Sequence, residues 1–284
     1  MQRIAGVLEQ VRRDCDVGAR RSADPVGAVH EFAGPLDQEI VALVAACIAF
    51  GNVKTIRAKL ADALARIGPS PSAAGDAPSA LQSRMRGWKH RVFLGQDIAA
   101  LVIGARAVQR SNGTLGERFR ADWEATHDLR EALARFTDAI RDAGSLHASP
   151  GGRRGPAHLL GNPRGGSASK RLLLYLRWMI RPADGVDLGL WPLSASILLC
   201  PVDTHIHKLA RNLGFTRRAD LSWKTAVEIG AALARFDPTD PARYDFALCH
   251  MGMLQRCPSR RDAVRCDGCG VMPVCIHWAR GGAP

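Results

Sequence analysis

Four of the chain's eight cysteines, Cys257, Cys266, Cys269 and Cys275, fall within nineteen consecutive positions, spaced C-x8-C-x2-C-x5-C. So short a span has no room for two sensible disulfides, but it suits four thiolates closing on one metal centre. The choice lies between tetrahedral zinc and an iron–sulfur cluster. Zinc ribbons present two C-x2-C knuckles, whereas here only Cys266 and Cys269 make one. The lopsided spacing fits a 4Fe–4S cluster better, and such a centre fixes the loop around it. The other four cysteines (Cys15, Cys47, Cys200 and Cys249) are scattered among apolar neighbours.

The 284 residues are 46% hydrophobic, enough for a substantial core in one large or two modest domains. No run of 18 or more apolar residues occurs, and residues 1–20 carry charges throughout rather than a signal-peptide pattern. These features lead us to expect a soluble, cytoplasmic protein without a membrane partner. Thirty-nine Lys and Arg against 27 Asp and Glu give a formal charge of +12. Such a balance points to a polyanionic partner, most often nucleic acid, although an arginine-rich composition alone would produce it too.

Amphipathic helical periodicity dominates, and the expected class is all-α. Ile40, Leu43, Val44 and Ile48 recur at helical spacing in 37–50, with Asp37 as a plausible N-cap and a break at Gly51-Asn52. Further helices are expected at 54–67, 96–108, 129–143, 171–180, 204–212, 223–236 and 244–254. The Pro-, Ser- and Ala-rich stretch 69–79 reads as a loop. Two basic segments also read as non-helical. Ser145–Ser169, with Arg153, Arg154 and Arg164, is either a linker or a loop tracking a phosphate backbone. Ser259–Val264, with Arg260 and Arg261, lies between the first two clustered cysteines and presents cations outward.

Asp203, in Pro201-Val202-Asp203-Thr204-His205-Ile206, sits where a helix begins, so its carboxylate can cap the first N–H groups. The motif Val202-Asp203-Thr204-His205, the following "LARNLGF" and the four-cysteine C-terminus occur in this order in the endonuclease III branch of helix-hairpin-helix DNA glycosylases. Residues 172–278 resemble that branch, whose spacing is C-x6-C-x2-C-x5-C. Over nearly the whole chain, "LDQEIVALVAACIAFGN", "GSASKRLLLYLRWMIRPADGVDLGLW" and "DPTDPARYDFALCHMGM" resemble an uncharacterised bacterial family, DUF2400. The family name brings no activity with it.

The resemblance to the glycosylases implies that Asp203 is the catalytic aspartate. It also exposes a departure: the hydrophobic-Pro-Gly-hydrophobic-Gly hairpin is absent upstream of Asp203. Eighteen residues before Asp203, where bifunctional relatives carry a catalytic lysine, stands Gly185. Lys170, 33 residues before Asp203, is the only lysine between His158 and Asp203. The archaeal 8-oxoguanine glycosylases resemble this layout, with a degenerate hairpin and a long Lys-to-Asp interval. That likeness makes Lys170 the candidate nucleophile; a simple phosphate contact is the alternative. An apolar site at the positive end of a helix lowers a lysine's pKa in the direction that nucleophilic attack requires.

Base access requires flipping the nucleotide out of the stack. Asn52 matches where these relatives carry a polar wedge residue. Trp178, Trp191 and Phe246 are candidate pocket walls, although buried tryptophans more often serve as core; Asp187 is a candidate polar contact in the pocket, with a turn aspartate as the alternative. His205 belongs to the shared motif and can orient a phosphate. Lys54, Arg164, Arg171, Lys208, Arg260 and Arg261 complete the expected DNA contacts.

The resemblance thus implies a two-lobed, helix-hairpin-helix glycosylase-like fold with DNA between the lobes. Residues 1–256 would form the helical domain and 257–284 a cluster segment packed on the lobe built from the termini. The expected activity is removal of a damaged base, an oxidised purine such as 8-oxoguanine, from double-stranded DNA, with lyase activity through Lys170. The protein is expected to be a nucleoid-associated monomer. Two rivals are a non-catalytic nucleic-acid binder on a degenerate glycosylase fold and an N-glycosidase directed at RNA or nucleosides.

Overall fold

The computed structural model describes residues 1–147, 152–258 and 260–279, and over these the protein is mostly helical. Residues 148–151 and Ser259, in the two basic segments, lie outside the described residues; the first segment, expected as non-helical, holds the short helix Gly155–Leu159, with Pro156 in its first turn. Among the described residues the only strands form a two-residue antiparallel hairpin, Lys89–His90 with Phe93–Leu94. No described helix is long and apolar enough to cross a membrane. The chain divides into two compact units. One comprises Met1–Arg20, Gly166–Arg177 and Ser194–Pro284; the other comprises Arg21–Gly165 and Trp178–Leu193.

The second unit is built around the helix Pro35–Ile48. Pro35 occupies its first turn, where a missing N–H costs no hydrogen bond. Every residue from Glu39 to Ile48 is buried, as expected of a helix that is apolar on all sides. Asp37 is not its N-cap, because the helix starts two residues earlier, behind Gly34. Its Oδ1 instead accepts from the Ser72 amide at 2.7 Å and the Ser70 hydroxyl at 3.3 Å. The 69–79 stretch, expected as a loop, in fact holds the short helix Pro71–Gly75 and the start of Pro78–Arg84. Proline in the first turn of each is a helix starter there rather than a breaker. Helices Val53–Ile67, Gly95–Asn112, Leu115–Thr126 and Leu129–Ala143 complete the frame.

Glu39 is the polar hub of this core. Its Oε2 accepts from Gln109 Nε2 at 2.8 Å and from the Leu115 amide at 2.9 Å. Oε1 accepts from Trp191 Nε1 at 2.7 Å and from the Gly116 amide at 3.0 Å. Burial pushes the carboxyl's pKa upward, and these four donors oppose the shift. Glu39→Ala strands all four donors in an apolar core. It is expected to lower the unfolding free energy by about 3 kcal/mol, read as a fall in urea midpoint at unchanged slope.

The first unit contains helices Gln2–Arg13, Thr204–Asn212, Trp223–Ala234 and Asp245–Gln255, together with the first eight residues of Lys170–Ile180. Arg177 and Asp245, both buried, form an ion pair at its centre. Cys200 donates its thiol to the other carboxylate oxygen, Asp245 Oδ1, at 3.2 Å. The Arg177 guanidinium also lies 5.7 Å from the centroid of the Phe246 ring.

Candidate functional site

Asp203 is the N-cap of Thr204–Asn212. Its extended backbone stops the helix from continuing upstream, and its Oδ1 accepts from the His205 and Ile206 amides, each at 2.8 Å. Two donors on one oxygen leave the other, Oδ2, facing the helix Asp245–Gln255. There the Cys249 thiol donates to it at 3.4 Å. Burial pushes the Cys249 thiol well up, and the carboxylates of Asp203 and then Asp245 add to this; the Lys170 ammonium pulls the other way. Cys249 therefore stays a protonated, neutral donor at physiological pH.

Lys170 opens its helix directly after Ser169, whose φ of 49° turns the chain into it. The Leu172 and Leu173 amides both donate to the Ser169 carbonyl at 3.0 Å, closing the first turn. Lys170 is half-buried and, among the described residues, makes no ion pair. It acts electrostatically on the same thiol that touches Asp203, so an amine and a capped carboxylate bear on one point in a single compact unit. Asp245 is the next charge in this chain of groups. Its carboxyl is pushed up by burial and held down by Arg177, while Asp203 raises it further.

The remaining candidates divide by what holds them. His205 is half-buried and Lys208 exposed, on the helix that Asp203 caps; Arg171 follows Lys170. Arg260 and Arg261 are exposed beside the cysteines, with the Arg261 guanidinium 4.5 Å from the centroid of the Trp278 ring. All of these belong to the unit containing Asp203. Asn52, Lys54, Arg164, Asp187 and Trp191 belong to the other unit.

Asn52 caps Val53–Ile67 through its Oδ1, which accepts from the Lys54 amide at 3.0 Å; both side chains are exposed. Arg164 is engaged by Glu131 and Asp138, each at 2.7 Å, so two carboxylates already neutralise it locally. Asp187 is fully buried against Arg181, which also binds Asp184 at 2.9 Å. Trp191 gives its N–H to Glu39 and stacks on Phe119 with centroids 5.6 Å apart. Trp178, Trp191 and Phe246 are all core side chains. The expectation of pocket walls for these rings, and of a polar pocket contact for Asp187, gives way to packing, because no open ring face or free carboxylate is left.

Sequence reasoning overlooked Cys249 and the Arg177–Asp245 pair. The signal for the pair was present, since an Arg inside "LLLYLRWM" and an Asp opening "DFALCH" are charges on apolar helices. Such charges call for partners.

The cysteine segment follows Asp245–Gln255 and is stapled back to that helix. Gln255 Nε2 donates to the carbonyls of Arg265 at 2.8 Å and Asp267 at 2.7 Å. Between Cys266 and Cys269 the chain turns through Gly268, whose φ of 65° suits a residue without a side chain. The Cys269 amide donates to the Cys266 carbonyl at 3.1 Å, and the Cys275 amide to Met272 at 3.2 Å. All four thiols are free. Burial raises Cys275, and Cys257, Cys269 and Cys266 raise it further; Cys269 feels Cys257 and Cys266 in the same way. Asn212, the last residue of the helix capped by Asp203, donates its amide to Cys257 Sγ at 3.1 Å. Among the described residues no three His, Cys, Asp or Glu side chains are gathered tightly enough for one metal ion. The donor set itself, four soft sulfurs that repel one another as thiolates, matches the needs of a cationic iron or zinc centre.

No curated protein and no solved structure matches the chain significantly. The family described as a protein of unknown function, DUF2400, matches residues 24–254, from the turn before the buried helix to the last turn before the cysteines. The chain belongs to that family.

Proposed function

We propose that this protein is a DNA glycosylase that removes a damaged base, an oxidised purine as first candidate, and that Lys170 also makes it a lyase. The observation that carries this reading is the fixed carboxylate of Asp203 at the head of its helix, with Lys170 in the same compact unit and close enough to act electrostatically on the thiol that touches it. A half-buried amine and a carboxylate with a fixed orientation are the two groups that N-glycosidic cleavage needs.

In the proposed reaction the Lys170 ammonium first gives up a proton to solvent, and the amine then attacks C1′ of the sugar. The bond to the base breaks, its electron pair leaves with the base, and water or a neighbouring acid protonates the departing nitrogen. Asp203 stabilises the positive charge that develops at the sugar. Opening of the ring gives an iminium linkage between Lys170 and C1′. Loss of a proton from C2′ then expels the 3′ phosphate by β-elimination, and hydrolysis frees the lysine.

A helix-hairpin-helix glycosylase-like fold belongs to the same reading. Cys257, Cys266, Cys269 and Cys275 would hold a 4Fe–4S cluster, which would supply structural rigidity to the loop carrying Arg260 and Arg261. The exposed Lys208, Arg211, Arg256, Arg260 and Arg265 in the same unit supply cations for duplex phosphates.

Two experiments test the reading. Incubation with duplexes carrying 8-oxoguanine should release the free base, with duplex affinity falling steeply as salt rises. Salt-sensitive binding without release of any damaged base would reassign the protein as a non-catalytic binder. The isolated protein should be brown and contain about four irons per chain, and Cys266→Ser should lose most of them. A colourless protein with one zinc would overturn the cluster.

A further inference from the structure

Cys249 is absent from the chemistry above, yet its thiol touches Asp203 and feels the charges of Asp245 and Lys170. We propose that Cys249 is a positioning residue for Asp203: its thiol holds Oδ2 in place while the helix amides hold Oδ1. The kinetic part of this proposal rests on the glycosidic role of Asp203; the geometric part does not.

The first observation is the contact itself, with Cys249 Sγ 3.4 Å from Asp203 Oδ2 and both Oδ1 bonds at 2.8 Å. A carboxylate held only through Oδ1 can still swing its second oxygen. One held at both oxygens presents its charge in one direction. A thiol is a weak donor, so it orients the carboxylate without drawing off the charge that a developing cation on the sugar needs.

The second observation is the way the two helices approach. A Cβ at Gly252 would lie 3.1 Å from Leu209 Cδ1 and 3.3 Å from His205 Cβ. Gly252 is one turn beyond Cys249, and its missing side chain lets the helix Asp245–Gln255 lie close against Thr204–Asn212 beside His205 and Leu209.

The groups facing the thiol set its ionisation in a way that can be read. Asp203 comes from the facing helix end, Asp245 from the thiol's own helix and Lys170 from a third helix. Both carboxylates oppose formation of the thiolate, and Lys170 favours it. Removing the charge of Asp203 therefore has to make Cys249 more acidic.

The test uses the full chain with its native metal content. Asp203→Asn keeps a good helix cap, because Asn caps as well as Asp. Alkylation of Cys249 by iodoacetamide, followed on its own peptide by mass spectrometry, should be about tenfold faster in Asp203→Asn than in wild type at pH 8. The pH profile of the reaction should move to lower pH in step with that rate. An unchanged rate and profile would overturn the pairing whatever the enzyme does.

In base release, Cys249→Ala should lower kcat about tenfold at nearly constant KM. Cys249→Ser, which retains a donor, should recover to within about threefold of wild type. Cys249→Ala with wild-type kcat would also overturn the proposal. If no base is released by any form, the glycosidic reading fails, and the alkylation profile still decides whether Cys249 and Asp203 are coupled.

Discussion

Asp203→Asn is expected to cut base release from a lesion-bearing duplex by about 10³-fold, the scale of removing one preorganised electrostatic group at a reacting centre. Duplex affinity and thermal midpoint should hardly change. The reason is local: Asn keeps an oxygen for the His205 and Ile206 amides, so the cap survives and only the negative charge goes. Release measured under single-turnover conditions, beside binding of an uncleavable duplex, separates the two effects. Undiminished release in the variant would leave Asp203 as a helix cap and nothing more.

Arg177→Met carries the largest expected effect on stability. The guanidinium and Asp245 are each almost wholly buried, so deleting one leaves the other as an uncompensated charge, at a cost of about 3–5 kcal/mol. The effect should also depend on pH. Burial already raises the Asp245 carboxyl above its ordinary range, and Arg177 is the main opposing influence. Without Arg177 the folded-state pKa rises further above the unfolded value. The folded state then holds its proton where the unfolded state has lost it, so stability is greatest in acid and falls as pH rises through that window. Urea midpoints should therefore fall more steeply with pH in Arg177→Met than in wild type. Arg177→Met with Asp245→Leu, an apolar pair, should recover most of the loss at neutral pH. Equal midpoints for wild type and Arg177→Met would show that the pair is solvated.

Helices with a long apolar stripe could be located from the sequence, and two of them also carry a recognisable cap. Residues 204–212, behind Asp203, and 129–143, behind Asp128, have both, and the structure places helices there. The buried helix Pro35–Ile48 was legible from its composition, but Asp37 was misread as its cap. A proline at the true start is invisible to a search for capping side chains. Helices Leu115–Thr126 and Gln2–Arg13 were missed, although Ile4, Val7, Leu8 and Val11 make an unbroken apolar stripe along the second.

Around the candidate site, Asp203 could be read locally because its role as a cap is written in adjacent residues. Lys170 could be singled out as the one lysine in its region. Cys249 could not, since its contact joins positions 46 residues apart and thiol–carboxylate pairs leave no periodic trace. For Trp191 and Asp187 the sequence left packing and pocket roles side by side for a related reason. Their partners Glu39 and Arg181 lie on other elements, and only the folded core shows that an aromatic ring and an acid are already spent.

The proposed chemistry is most directly tested by borohydride trapping on duplexes containing 8-oxoguanine or an abasic site, comparing wild type with Lys170→Ala. A glycosylase with lyase activity working through Lys170 forms an iminium that borohydride reduces to a stable protein–DNA adduct, present in wild type and lost in Lys170→Ala. No adduct from wild type on either substrate, or an equal yield from Lys170→Ala, would contradict the role assigned to that lysine.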